Sequence, residues 1–261
     1  MTLYLHELKR GRLSLIIWSA ALSFMILICI LIYPEVGSQM DEMSEMFANM
    51  GAFSEAFGMD QLGFGDFLGF FAVECGEVMG IGGAIFAALM GISALSKEEK
   101  DKTAEFLLTH PISRTGVVFS KLTALLTQIL ILNLAVGVIT ALGILIIGEE
   151  PDGKKVFLLL LSYLILQVEI ACVTFGLSAA IRSKGIGIGI GLAMALYFLS
   201  ILANITNELE FLKWITPFTY TEGAYIVENV SLDWKYVAVG AVLTAGGIVL
   251  AFLKYRKKDI L

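Results

Sequence analysis

Residues 13–33 read LSLIIWSAALSFMILICILIY, 21 positions without a single charge. A helix of that length is about 30 Å long, enough to cross the hydrocarbon core of a bilayer. Working outward from it, five further runs of similar character follow, at residues 67–95, 122–147, 156–181, 185–205 and 236–253. Backbone groups in lipid must be satisfied within their own segment, so these runs are read as helices. The whole chain of 261 residues is 57% hydrophobic and 16% charged, which is outside the soluble range. Lys9, Arg10 and Arg12 precede the first run as they would in a secretory signal. That run is longer than a signal's apolar region and no small-residue cleavage pattern follows, so it is expected to be a retained span.

Six spans place both termini on one side, and the bias of lysine and arginine toward cytoplasmic loops identifies the side. With the N-terminus inside, fourteen of the eighteen basic residues are cytoplasmic, and only Lys154, Lys155, Lys213 and Lys235 lie outside. Acids run the other way: Glu35, Asp41, Glu42, Glu45, Glu55, Asp60 and Asp66 share a first outer loop, 34–66, that has no basic residue. The other outer loops are 148–155 and 206–235, and 96–121 is the larger inner loop. The expected fold is therefore an all-α integral membrane protein, one transmembrane domain over residues 1–261 with both termini cytoplasmic.

Residues 1–12 carry Tyr4, Leu5 and Leu8 on one helical face, which suits a short helix lying in the inner interface. In the first outer loop Met40, Met43, Phe47, Met50 and Phe57 recur at helical spacings. A helix on the outer leaflet and a Met-lined surface for an apolar cargo both fit, but packing against the protein's own helices is the simpler reading. Trp214, Phe218, Tyr220, Tyr225 and Trp234 give the third outer loop the aromatic content of a headgroup-level segment.

Two motifs are lookalikes. GEEPDGKK at 148–155 matches part of a phosphate-binding loop, yet Lys155 stands where a magnesium-binding Ser or Thr is needed and three acids would repel phosphate. It is read as an outer turn. Gly185, Gly187, Gly189 and Gly191 lack the strand and loop of a dinucleotide fingerprint. Glycines four apart instead let membrane helices approach closely, within the chain or across a dimer, and Gly76, Gly80, Ala84, Ala87, Ala88 and Gly91 repeat the device in the second span. Cys29, Cys75 and Cys172 lie singly in apolar runs and are read as packing residues. With no metalloprotease, hydrolase-elbow or Cys/His signature, membrane-enzyme readings lose weight and no cofactor or metal is expected on this chain. The net charge of -6 does not favour nucleic acid as a partner.

The most informative inner segment, 96–121, reads SKEEKDKTAEFLLTHPISRTGVVFSK. Phe106, Leu107 and Leu108 form an apolar patch beside Glu98, Glu99, Asp101 and Glu105, and Pro111 ends the helix. Such a helix along the inner surface is suited to docking into a groove on a soluble partner. The pattern Glu98-Glu99, Thr103, Glu105, Leu107-Leu108, Pro111, Ser113-Arg114 and Lys121 resembles the segment linking the second and third helices of type-2 ATP-binding-cassette permeases, with Lys102 in place of the usual glycine. Residues 6–9, 177–182 and 215–220 resemble the same family in the same order, so the likeness spans nearly the whole chain. It implies a coupling helix that meets an ATPase subunit through Glu98, Glu99, Thr103, Glu105, Leu107, Leu108, Pro111 and Arg114. It also implies a unit of two permease and two ATPase chains, with ATP and magnesium held by the ATPase.

Three carboxylates fall inside spans: Glu74 and Glu77 in the second and Glu169 near the middle of the fourth. Ionisable groups there are costly, about 2.5–3.5 kcal/mol at the centre on insertion scales, and are functional candidates by default. Glu74 and Glu77 could line a cargo exit or an outer vestibule. Glu169 is expected either in the cargo path or bonded to Asn133 and Gln128 of the third span. The favoured function is an ATPase-coupled exporter permease of a bacterial plasma membrane with a hydrophobic or amphipathic cargo. A proton-coupled transporter using these acids, a mechanotransmitting subunit without its own cargo, and a membrane enzyme or assembly subunit remain as alternatives.

Overall fold

The computed structural model describes residues 2–48, 62, 66–97, 113–181, 185–205 and 207–257. Six helices among them are long and apolar enough to cross a membrane. They are α1 (Thr2–Ala48), the second span formed by α2 (Phe67–Glu77) and α3 (Gly83–Ala94), α4 (Arg114–Ile147), α5 (Gly153–Ser178), α6 (Ile186–Ile205), and α8 (Trp234–Lys257). A short α7 (Gly223–Asn229) and two 3-10 turns, Asn207–Trp214 and Pro217–Thr221, lie between α6 and α8. Among the described residues there is no strand.

α5 is the hub. It packs against α3, α8 and α4, while α1 lies along α4 and α6 against α3. The second span, α2–α3, and α5 are the most buried, at 56% of their apolar windows, against 17% for α6 and α8. Contact by bare backbone explains the pairing. A Cβ at Gly91 would run into the Thr174 hydroxyl and the Ala171 carbonyl, and one at Gly83 into the Gln167 amide. Of the four alternating glycines, Gly185 and Gly189 pack on Ile92 and Ala88 of α3, whereas Gly187 and Gly191 have nothing within 4 Å. Only one of the two expected close-packing pairs is thus used inside the chain.

The second span is not one regular helix. A π-helical turn, Val78–Gly82, separates α2 from α3 directly after Glu77. Such turns frequently mark functional positions.

Other boundaries depart from the sequence reading for identifiable reasons. α1 does not stop before Pro34 but carries it inside a 47-residue helix. Residues 2–12 are helical as expected and run on into the first span without a change of helix type. They are held along α4 by a hydrogen bond between the Tyr4 and Thr127 hydroxyls at 3.1 Å. Gly11 leaves the room that the Gln128 side chain occupies. α4 begins at Arg114 rather than after Lys121, because Ser113 caps it by accepting from the Gly116 amide at 3.1 Å. Residues 114–121, read as loop, are therefore the first two turns of a helix. At the outer end Gly148 takes φ +73 to close α4 and Asp152 caps α5 through the Lys154 amide, so GEEPDGKK is the expected turn. Of the methionine-rich stretch, Met40, Met43 and Phe47 fall on α1, and Met50 and Phe57 lie outside the described residues.

Candidate functional site

Each of two intramembrane carboxylates meets a tyrosine. Gln167 and Glu169 are two residues apart on α5, about 200° around a helix of 3.6 residues per turn, so they face opposite sides. Gln167 turns to α4, where its Oε1 accepts from Asn133 Nδ2 at 2.7 Å. Glu169, 3% exposed, turns to α8, where Gly240 leaves space for its carboxylate. Its Oε2 accepts from the Tyr220 hydroxyl at 2.8 Å. The expected bonds from Glu169 to Asn133 and Gln128 are therefore not made. The helical phase of α5 assigns Asn133 to Gln167, and Gln128 sits at the inner end beside Gly11.

Tyr220 belongs to the second 3-10 turn, so the third outer loop is more than a headgroup belt. Glu169 is sixteen residues along α5 from Gly153, about 24 Å of helix at 1.5 Å per residue. The segment is tied in by Thr216, whose hydroxyl donates to the Leu196 carbonyl of α6 at 2.7 Å. Phe218, Tyr220 and Ile226 are buried, while Trp214, Tyr225 and Trp234 stay exposed as the aromatic reading expects. Tyr220→Phe removes the donor and leaves the Glu169 carboxylate without its hydrogen bond. The expected loss is about 1–3 kcal/mol, read as a lower unfolding midpoint of the purified chain. Tyr225→Phe, at an exposed position, should leave the midpoint in place.

Glu77, the last residue of α2, has its Oε2 2.6 Å from the Tyr197 hydroxyl of α6, which donates to it. It borders a cavity of about 80 Å³ formed by α2, α5, α6 and the segment 218–224, whereas the pocket at Glu169 holds only about 10 Å³. Glu74 is half-buried on the neighbouring face of α2 and does not line that cavity. The structure thus separates the two acids that sequence spacing paired.

On the inner face, Lys121 joins three helices. Its Nζ donates to the Ala94 carbonyl of α3 at 2.8 Å and pairs with Glu7 Oε1 of α1 at 3.0 Å, with its side chain only 2% exposed. The Ser96 hydroxyl donates to the Ile92 carbonyl at 2.8 Å, and Arg114 Nη1 donates to the Arg256 carbonyl of α8 at 3.2 Å. The termini of the charged inner segment are therefore bonded to α1, α3, α4 and α8. Beside Lys121 lies a cavity of about 240 Å³ between α1, α3 and α4. Glu98, Glu99, Thr103, Glu105, Leu107, Leu108 and Pro111 lie outside the described residues; of the coupling set only Arg114 is placed.

Sequence reasoning passed over Tyr163, Tyr197, Gln167 and the Glu7–Lys121 pair. One signal was available: a carboxylate in a span needs a donor, and tyrosines within spans are the natural supply.

Six apolar helices packed about α5, with carboxylates satisfied by tyrosines at depth, define a polytopic α-helical membrane protein. The sequence matches the description "ABC-2 family transporter protein" over residues 1–260, and the chain belongs to that family. It is a permease component of an ATP-binding-cassette transporter, the kind of membrane subunit that works with an ABC ATPase. A comparison with curated proteins finds no match.

Proposed function

We propose that the chain is the membrane half of an ATP-driven exporter in a bacterial plasma membrane, working as a pair of permease chains with two ATPase subunits. The observation that carries this reading is the bonding of the inner segment's two ends into the helical frame. Ser96 and Lys121 fasten them to α3, and Lys121 extends the connection through Glu7 to α1. A push on residues 98–112 by a soluble partner would be delivered to three spans at once. Hydrolysis of ATP takes place on the partner chain, and this chain contributes the path.

The cargo path runs past Glu77, where there is space, with Glu74 of the same helix as a further candidate for lining it. Glu169 and Asn133 hold the helices and the outer segment around it, since each is bonded to a protein partner and neither lines the cavity. The cargo is hydrophobic or amphipathic. A dimer contact through α6 is supported by Gly187 and Gly191, where a Cβ would meet nothing within 4 Å among the described residues. The native mass of the purified complex tests this, with two permease and two ATPase chains expected.

Co-purification tests the function itself. An ABC ATPase should be retained by the wild-type chain and lost, at least tenfold, from a chain carrying Glu105→Arg with Leu108→Asp. Transport driven by a proton gradient, with no ATPase bound and no need for ATP, would overturn the reading in favour of a secondary transporter.

A further inference from the structure

We propose that the outer cavity at Glu77 is a binding site for a protonated primary amine, the cationic end of an amphipathic cargo. Three observations converge on it. First, Glu77 is a carboxylate at membrane depth with one hydrogen bond, from Tyr197, and among the described residues no lysine or arginine pairs with it or lines the cavity. A charge so placed is either lost by protonation or stabilised by a cation that joins it. Second, Tyr163 borders the same cavity, is 3% exposed, and its hydroxyl has no hydrogen-bond partner among the described residues. A Cβ at Gly76 would stand 2.7 Å from that oxygen, so glycine there keeps the hydroxyl in open space. Third, two of the walls are aromatic: the Tyr197 and Phe218 rings meet edge to face, with centroids 5.4 Å apart. In contact with each other, the two rings close that side of the cavity with apolar surface beside the Glu77 carboxylate.

These features specify the ligand's chemistry. An ammonium group has three N–H donors, and Glu77 together with the Tyr163 oxygen supplies acceptors for them, with Asn204 also on the cavity wall. The volume of about 80 Å³ admits the ammonium and its first methylenes but not a bulky head. An anion would meet the Glu77 carboxylate and, among the described lining residues, no base, and a neutral alcohol would leave an ionised Glu77 unmatched. Water alone would also fit, at about 30 Å³ per molecule, and is the occupant the experiment must distinguish. The π turn following Glu77 and the second 3-10 turn, which carries Phe218, lie at the cavity's edge, where binding would reach both the second span and the outer segment.

The cargo part of this inference rests on the exporter reading; the binding itself does not, and it is measured on the full chain in neutral-lipid nanodiscs without an ATPase. The probe is n-butylammonium, compared with 1-butanol and butyrate, followed by saturation-transfer NMR and by the unfolding midpoint. Butylammonium should bind, and the other two should not. Glu77→Gln should weaken binding at least tenfold and Tyr163→Phe severalfold, while Glu149→Gln, in the exposed outer turn, should change nothing. Should Glu77→Gln fail to fold, Tyr163→Phe carries the test. Equal binding of butanol, no binding of butylammonium, or binding indifferent to both variants would show a merely hydrated cavity and overturn the proposal. Loss of amine binding with the ATPase still retained would leave the exporter reading standing.

Discussion

Glu7→Gln should lower the unfolding midpoint of the chain more than Lys121→Met does, and the double variant should recover part of the loss. Lys121 is buried to 2% side-chain exposure and Glu7 is its ion-pair partner at 3.0 Å. Neutralising Glu7 leaves an ammonium inside the bundle without the carboxylate that it pairs with at 3.0 Å. Breaking a buried pair from one side costs about 3–5 kcal/mol, and the adjoining 240 Å³ cavity, by admitting water, puts the expected value at the lower end. Lys121→Met removes the buried charge itself and keeps most of the volume. What remains is the Ala94 carbonyl without its donor, about 1–3 kcal/mol, and a Glu7 that is already 16% exposed. Chemical unfolding of the four chains in detergent measures the order, and a Lys121→Met loss exceeding that of Glu7→Gln would contradict the burial argument.

Gly247→Leu should detach α8 from α5. The carbonyl of Cys172 lies where a Cβ at 247 would go, and the Val173 Cα would be 2.9 Å away. Both are backbone atoms, which cannot turn aside as a flexible side chain would. Overpacking of a side-chain core costs about 1–3 kcal/mol, and a backbone contact should exceed that range. Cys172 supplies the readout, because it is fully buried on α5 in the wild type. Maleimide labelling of Cys172 should rise severalfold in Gly247→Leu and stay at the wild-type level in Gly187→Leu, where nothing lies within 4 Å.

The spans were legible because the bilayer imposes one length and one polarity on them, and the charges of the loops imposed an orientation independently. What escaped was decided by contacts between segments. Pro34 is a helix stop in water, but α1 continues through it to Ala48. The start of α4 at Arg114 was readable in principle, since Ser113 is a good N-cap directly after a proline and one residue. The partner of Glu169 was not: it comes from Tyr220, 51 positions away on an outer segment whose composition only suggested a surface belt. Nor did spacing separate Glu74 from Glu77, because what distinguishes them is a cavity that α6 and the segment 218–224 complete. Glycine patterns told which helices can approach closely but not which pair uses which neighbour, as Gly185 and Gly189 against Gly187 and Gly191 illustrate.

The central claim, that residues 96–121 face the cytoplasm and receive an ATPase there, is tested most directly by a single cysteine in that segment. Leu108→Cys in a chain with Cys29, Cys75 and Cys172 replaced by alanine is exposed to a membrane-impermeant maleimide, in right-side-out and in inverted vesicles. Labelling is expected in inverted vesicles only, with protection there when the ATPase is bound. Labelling from the outside, or labelling unchanged by the bound ATPase, would contradict it.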